Sequence, residues 1–184
     1  MPDPSRVRSR AWRPDILEGF ECRDLYLSAP PLEGEPDVPL TSTLLRRTLA
    51  ADPDRDVRDR AVLHVHGWND YFFHTHVAEF FEAQGFTLYA IDLRRHGRAH
   101  TPGQFANYVD DLADYGEELD LAYAVLAEHH RSVSVMAHST GGVHDLTLSP
   151  PPARDRLFAE LARWLTAYCP PTGCAEIVKS PQAT

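Results

Sequence analysis

Three short apolar runs, each closed by a polar or glycine-containing turn and separated by helical stretches, constrain this 184-residue chain more than any other feature. Ala61-Val-Leu-His-Val-His66 ends at Gly67, and Phe86 to Leu93 ends in a cluster of charged residues. Ser132-Val-Ser-Val-Met-Ala137 runs directly into His138-Ser139-Thr140-Gly141-Gly142. Such runs read as strands buried in a sheet. Between the first two, Val77, Phe80 and Phe81 predict a helix from Val77 to Gln84, stopped by Gly85, a residue suited to the backbone of a helix end. Between the second and third, Tyr108, Leu112, Tyr115, Leu119, Ala122, Tyr123 and Leu126 recur at helical spacing and predict one long amphipathic helix. Strands alternating with helices need crossover connections, so the fold class is α/β, a mostly parallel sheet flanked by helices. Ligands of such sheets bind at the carboxyl ends of the strands. Here those ends carry His66-Gly67, Asp92 and Ser139.

The flanks are less regular. The first sixty residues give one short strand, Leu25 to Ser28, then a loop with four prolines from Ala29 to Pro39. Leu44 to Ala50 reads as a helical turn or two, and Asp52 to Arg60 as a solvated, charged turn. After Gly142 the rhythm fails. Val143 to Ser149 is short, Pro150-Pro151-Pro152 is a break, and Leu157, Phe158, Leu161, Trp164, Leu165 and Tyr168 form a last helical stripe. Pro170 to Thr184 reads as a loose tail.

A formal net charge of −9 disfavours phosphate backbones and anionic membrane surfaces, so no nucleic-acid partner is expected. Arg94, Arg95 and Arg98 are a possible local basic patch. No run of apolar residues is long enough to cross a bilayer, so no stable membrane insertion is expected. The residues after Met1 lack the apolar stretch of a secretory leader, and the chain is expected to be cytoplasmic. Cys22, Cys169 and Cys174 include no Cys-x-x-Cys pair, which argues against a disulfide framework or structural zinc. His64 with His66 and His74 with His76 could chelate a metal, but no carboxylate or cysteine completes a ligand set. No metal or cofactor is expected.

A strand running into a small-residue turn with a central serine is the signature of a nucleophile elbow, which lifts the serine hydroxyl above the sheet. Here alanine replaces the first glycine of Gly-x-Ser-x-Gly, and alanine is small enough for the same packing. The competing reading, a serine that merely caps a helix, would be preferred for an isolated Ser-x-Gly; the preceding strand and the two upstream motifs favour the elbow here.

Taken in order, His66-Gly67-Trp68, Tyr89-Ala-Ile-Asp-Leu-Arg-Arg-His-Gly97 and His138-Ser139-Thr140-Gly141-Gly142 resemble the α/β-hydrolases of the serine aminopeptidase and monoacylglycerol lipase-like (lysophospholipase-like) group. The resemblance covers roughly residues 24–142. It implies a serine hydrolase acting on a small-molecule carboxylic ester, of the lipid-like monoester class, through an acyl-enzyme on Ser139. It further implies an oxyanion hole made by the backbone N–H groups of Trp68 and Thr140, with His66, Gly67, His138 and Gly141 as motif residues. Such fixed dipoles stabilise a tetrahedral oxyanion without reorganising. Residues 92–97 are then a structural turn. Trp68, Tyr71, Phe72 and Phe73 either line an acyl pocket or pack the loop, and their place at the strand ends favours the pocket.

Serine needs a histidine base oriented by a carboxylate, in the chain order Ser, Asp or Glu, His. Only His144 follows Ser139, and no Asp or Glu stands between them. His144 is the candidate base; the orienting carboxylate has no assignment. On a regular helix, residues five apart differ by about 500° and about 7.5 Å of rise, so the two would face apart. The segment Gly142-Val-His-Asp145 and the stripe after it resemble the C-terminal end of the same family. The chain therefore reads as a single incomplete, truncated α/β-hydrolase domain: 24–142 the N-terminal half, 143–168 a family-like C-terminal segment, 169–184 a tail. An internal deletion at Gly141-Gly142 explains the abutting motifs. Out-of-frame translation after Gly142 is the rival, and the regular helical stripe counts against it. A catalytically inactive deletion product or pseudoenzyme is the alternative function.

Overall fold

The computed structural model describes residues 11–137 and 151–168. Strands β1 (Arg13–Pro14), β2 (Phe20–Tyr26), β3 (Thr41–Arg47), β4 (Arg60–Val65), β5 (Thr87–Asp92) and β6 (Ser132–Ala137) form one sheet in the order β1-β2-β3-β5-β4-β6. Helices α1 (Thr75–Ala83) and α2 (Tyr115–Ala127) make the two crossovers, and α3 (Pro151–Tyr168) follows. The sheet is mixed. β4 pairs in parallel with both β5 and β6, whereas β1, β2 and β3 join by antiparallel pairings, β3 against β5. The parallel half is the half that carries the sequence motifs.

Each face of the sheet has its own apolar core. On one, Leu121, Ala122, Val125 and Leu126 of α2 pack on Leu25, Leu44, Leu63, Tyr89 and Ile91. On the other, Val77, Ala78 and Phe81 of α1 pack on Phe20, Leu45, Val62, Leu88 and Ala90, joined by Leu165 of α3. Phe158 of α3 stacks on Phe80 of α1 with ring centroids 4.3 Å apart. β5 is buried at every position, as expected of a strand with neighbours on both sides and helices on both faces.

Four sequence expectations are corrected. Leu44 to Arg47 belongs to β3, not to a helical turn: Leu44 and Leu45 enter opposite cores and both are fully buried. Two adjacent apolar residues serving two faces carry no period-two signal. The charged stretch 52–60 is not simply solvated. Asp52 and Arg55 are buried; Arg55 reaches Glu21, and Arg58 reaches Asp52 at 2.5 Å. The long helix begins at Tyr115, after a 3-10 turn over Leu112–Asp114 capped by the Asp111 carboxylate. Tyr108 and Leu112 are exposed, so their helical spacing reflects no shared face. The proline run ends in α3 itself: the helix starts at Pro151, and proline suits a first helical turn, where its missing N–H is not needed.

If β3 is a strand buried on both faces, Leu44→Ala and Leu45→Ala each destabilise by about 2–5 kcal/mol, the usual cost of truncating a buried leucine. Urea denaturation of the two variants checks this; a helical turn at the surface would leave at least one of them near wild type.

Candidate functional site at the carboxyl ends of the parallel strands

β4, β5 and β6 run in the same direction, so the turns that follow them gather on one rim. The register there is explicit: Val65 of β4 is partnered by Ile91 of β5 and by Ala137 of β6. The chain thus leaves β4 at His66-Gly67-Trp68, between the exit from β5 at Asp92 and the exit from β6 at Ala137. His138, Ser139, Thr140, Gly141 and His144 lie outside the described residues.

The loop after β4 is held at both of its ends. At its start, the Leu93 N–H donates to His66 Nε2 at 2.9 Å, and His66 Nδ1 lies 2.7 Å from the Gly67 carbonyl. At its far end, the Phe72 N–H donates to Asp92 Oδ1 at 2.9 Å. Between these anchors the chain bulges outward. Asn69 takes a positive φ of 55°, which asparagine tolerates, and its Oδ1 accepts from Asn107 Nδ2 at 2.6 Å. Trp68 is 52% exposed, and Tyr71 and Phe73 are exposed beside it. Phe72 alone of the four aromatic residues turns inward, fully buried against Phe20 and His64. The sequence reading of all four as pocket lining is therefore corrected for Phe72: it packs the loop, while the other three form an aromatic rim.

The turn after β5 is fastened by buried charge. Asp92, fully buried, also accepts from the Arg98 N–H at 3.0 Å and from Arg98 Nη1 at 2.9 Å. Arg98 forks onto both oxygens of Asp15 at 2.7 and 2.8 Å and reaches the Phe72 carbonyl. Burial pulls the Arg98 pKa down, but the hydrogen bonds and charges of Asp15 and Asp92 outweigh it and hold the guanidinium ionised. Gly97, at φ 45°, lets this turn close: a Cβ there would lie 2.5 Å from Asp92 Oδ2 and 2.5 Å from the Tyr71 Cβ.

Arg94, Arg95 and Arg98, close together in sequence, form no exposed basic patch. Arg94 and Arg95 are buried, and Arg98 is half-buried between Asp15 and Asp92. Arg94 forms a forked pair with the buried Glu118 of α2 at 2.9 and 3.0 Å, and Arg95 with Glu35 at 2.7 and 2.8 Å. Such pairs neutralise the charge that the sequence displays. Arg95 sits at a positive φ of 63°, and its carbonyl accepts from the Asn107 N–H at 2.9 Å. Sequence reasoning missed Glu35 and Asp15 as supports, because nothing local marks a carboxylate whose partner lies 60 or 83 residues away.

Among the described residues no group of three or more His, Cys, Asp or Glu side chains is arranged to hold a metal ion. His64 and His74 are buried with Phe72 between β4 and the loop, with ring centroids 5.8 Å apart. Burial pushes the Cys22 thiol up to about 11, so it is protonated at neutral pH and is no nucleophile. No described helix is long and apolar enough to cross a membrane.

A family model described as serine aminopeptidase, S33, matches residues 56–159, more than half of the chain. A protein of Mycolicibacterium smegmatis named monoacylglycerol lipase is 35% identical over 94 residues, 49% of this chain. The match spans 32% of that relative's length. Among solved structures, acetyl xylan esterase 1 from Thermoanaerobacterium sp. aligns at TM-score 0.41 and 17% identity, over 74% of this chain and 48% of that one. A cold-adapted esterase from an Arctic intertidal metagenomic library aligns at TM-score 0.37 and 16% identity, over 71% and 55%.

Glu35 gives the rim a pH dependence. The Arg95 guanidinium, opposed by burial and helped by the N–H groups of Leu32 and Phe105, lowers its carboxyl to about 2 from the usual 4.5. A depressed acid stabilises the fold above its unfolded-state value and loses that contribution as pH falls through the folded one. Glu35→Gln is therefore less stable than wild type at pH 7. In urea denaturation the difference narrows below about pH 4.5 and closes near pH 2; a difference independent of pH contradicts the assignment.

Proposed function

The chain belongs to the α/β-hydrolases, in the family described as serine aminopeptidase, S33, and on that premise we propose that it is a serine hydrolase of carboxylic esters with Ser139 as nucleophile. In this mechanism Ser139 attacks the ester carbonyl, the alcohol leaves, and water releases the acyl group. The backbone N–H groups of Trp68 and Thr140 hold the oxyanion, and His144 is the base. A missing oxyanion donor costs on the order of 10²–10³ in rate, so the direction of the Trp68 N–H matters as much as the nucleophile.

One observation carries this reading. Val65 and Ala137 are register partners on neighbouring parallel strands. Trp68 and Ser139 follow them within three and two residues. With about 3.8 Å between consecutive Cα atoms, the chain from that pair on the rim to Trp68 and to Ser139 is at most about 11 and about 8 Å long. The aromatic side chains of Trp68, Tyr71 and Phe73 stand exposed beside it and offer contact area to the acyl part of a substrate. A lipid-like monoester is the substrate class that suits such a rim, and the monoacylglycerol lipase relative agrees with it.

The second reading is a catalytically inactive chain. It rests on the sequence after Ser139, where no Asp or Glu precedes the single following histidine, His144. In this reading an internal deletion at Gly141-Gly142 has removed the segment that would supply the triad carboxylate. The domain is then incomplete, with 24–142 and 143–168 as its two family-like parts. Val135 of β6, 64% exposed on the last strand of the sheet among the described residues, fits a sheet that once continued.

A fluorophosphonate probe separates the two. A working nucleophile gives covalent labelling of the folded protein that is lost in Ser139→Ala. Absence of labelling in a sample that unfolds cooperatively in urea supports the inactive chain.

A further inference from the structure

At the rim the His66 imidazole has both nitrogens engaged, and their partners dictate its protonation. The Leu93 N–H can only donate, so His66 Nε2, 2.9 Å away, carries no proton. The Gly67 carbonyl can only accept, so the proton resides on Nδ1, 2.7 Å from that oxygen. The ring is buried and packs against His96 with centroids 4.8 Å apart. His96 is itself fixed, its Nδ1–H donating to the Arg94 carbonyl at 2.8 Å, and burial keeps it below the ordinary imidazole range. The donor–acceptor pattern at His66 thus runs from the end of β5, through the ring, to the first peptide of the loop after β4.

That peptide is the one that carries the Trp68 N–H. A trans peptide is planar, and its carbonyl and its N–H point in opposite directions. Holding the Gly67 carbonyl toward the imidazole therefore turns the Trp68 N–H away from the ring. We propose that His66 is a positioning residue: as the neutral Nδ1–H tautomer it ties the Gly67 carbonyl to the Leu93 amide and so sets the direction in which the Trp68 N–H points. The catalytic consequence rests on the serine-hydrolase reading above; the tautomer and the clamp do not. Glycine at 67 has no side chain to limit the rotation of this peptide, so the histidine supplies the restraint that the backbone lacks.

The test has two arms, both on the full chain. In the first, the protein is labelled with ¹⁵N-histidine and long-range proton–nitrogen spectra are recorded at neutral pH. The clamp requires a protonated, pyrrole-type Nδ1 and a bare, pyridine-type Nε2 at His66; the reverse tautomer or an imidazolium overturns it. In the second, fluorophosphonate labelling rates are compared in variants that each keep one half of the bridge. His66→Asn retains an amide N–H near the Nδ1 position to donate to Gly67. His66→Gln retains an oxygen near Nε2 to accept from Leu93 but loses the Gly67 bond. The expected result is that His66→Gln slows labelling on the order of 10²-fold, the scale of one lost oxyanion donor, while His66→Asn recovers most of the wild-type rate. Variants of matched urea midpoints whose rates equal each other and wild type overturn the positioning role. Should His66→Gln fail to fold, the spectrum and His66→Asn decide, with slow labelling in a folded His66→Asn counting against the proposal. If wild type itself is not labelled, the hydrolase reading fails, and the spectrum alone judges the clamp.

Discussion

The Asp92 carboxylate holds the rim of this sheet together. Sealed at the end of β5, it accepts from the Phe72 N–H, the Arg98 N–H and the Arg98 guanidinium. Three segments meet there: the loop that leaves β4, the turn that leaves β5, and, through Arg98 and Asp15, the chain ahead of β2. A buried carboxylate is tolerable only when its lone pairs are matched, and a buried guanidinium only when its N–H groups are. Each condition here satisfies the other. The loop conformation is therefore fixed by a network in which breaking any one bond leaves a buried charge exposed to its own desolvation cost.

The same device is repeated around the rim. Arg94 fastens the turn to α2 through Glu118, and Arg95 fastens it to the proline-rich segment through Glu35. Replacing a whole pair by apolar residues often stabilises a protein, whereas removing one partner is costly, so beyond that energy these pairs also fix geometry. They hold residues with positive φ, Asn69, Arg95 and Asn107, in turns that apolar packing alone would not specify. Strained backbone concentrated at the carboxyl ends of parallel strands is what a preorganised site requires. The apolar cores beneath, one on each face, supply the stability that this arrangement draws on.

The parts of the fold that were legible in the sequence are those governed by local pattern. β4, β5 and β6 are short apolar runs between clear breakers, and α1 ends at a glycine. Their bounds in the structure differ from the sequence reading by a residue or two. β3 was illegible because Leu44 and Leu45 serve two cores at once. Periodicity overextends α2 at its start because exposed Tyr108 and Leu112 fall at helical spacing by coincidence. At the rim, His66, Gly67 and Trp68 could be named from the motif, but not the partners of the three arginines. Ion pairs between residues 60 or 83 positions apart depend on how the chain returns to the sheet, and no local pattern encodes that.

Hydrolysis by this chain requires that the serine that follows β6 and the amide that follows β4 serve one oxyanion. A crystal structure of the protein after reaction with a phosphonate inhibitor measures this directly. The prediction is an adduct on the Ser139 Oγ, with a phosphoryl oxygen roughly 2.7–3.1 Å from the Trp68 nitrogen. An adduct on another residue, or a Ser139 adduct whose oxygens face away from Trp68, would contradict it.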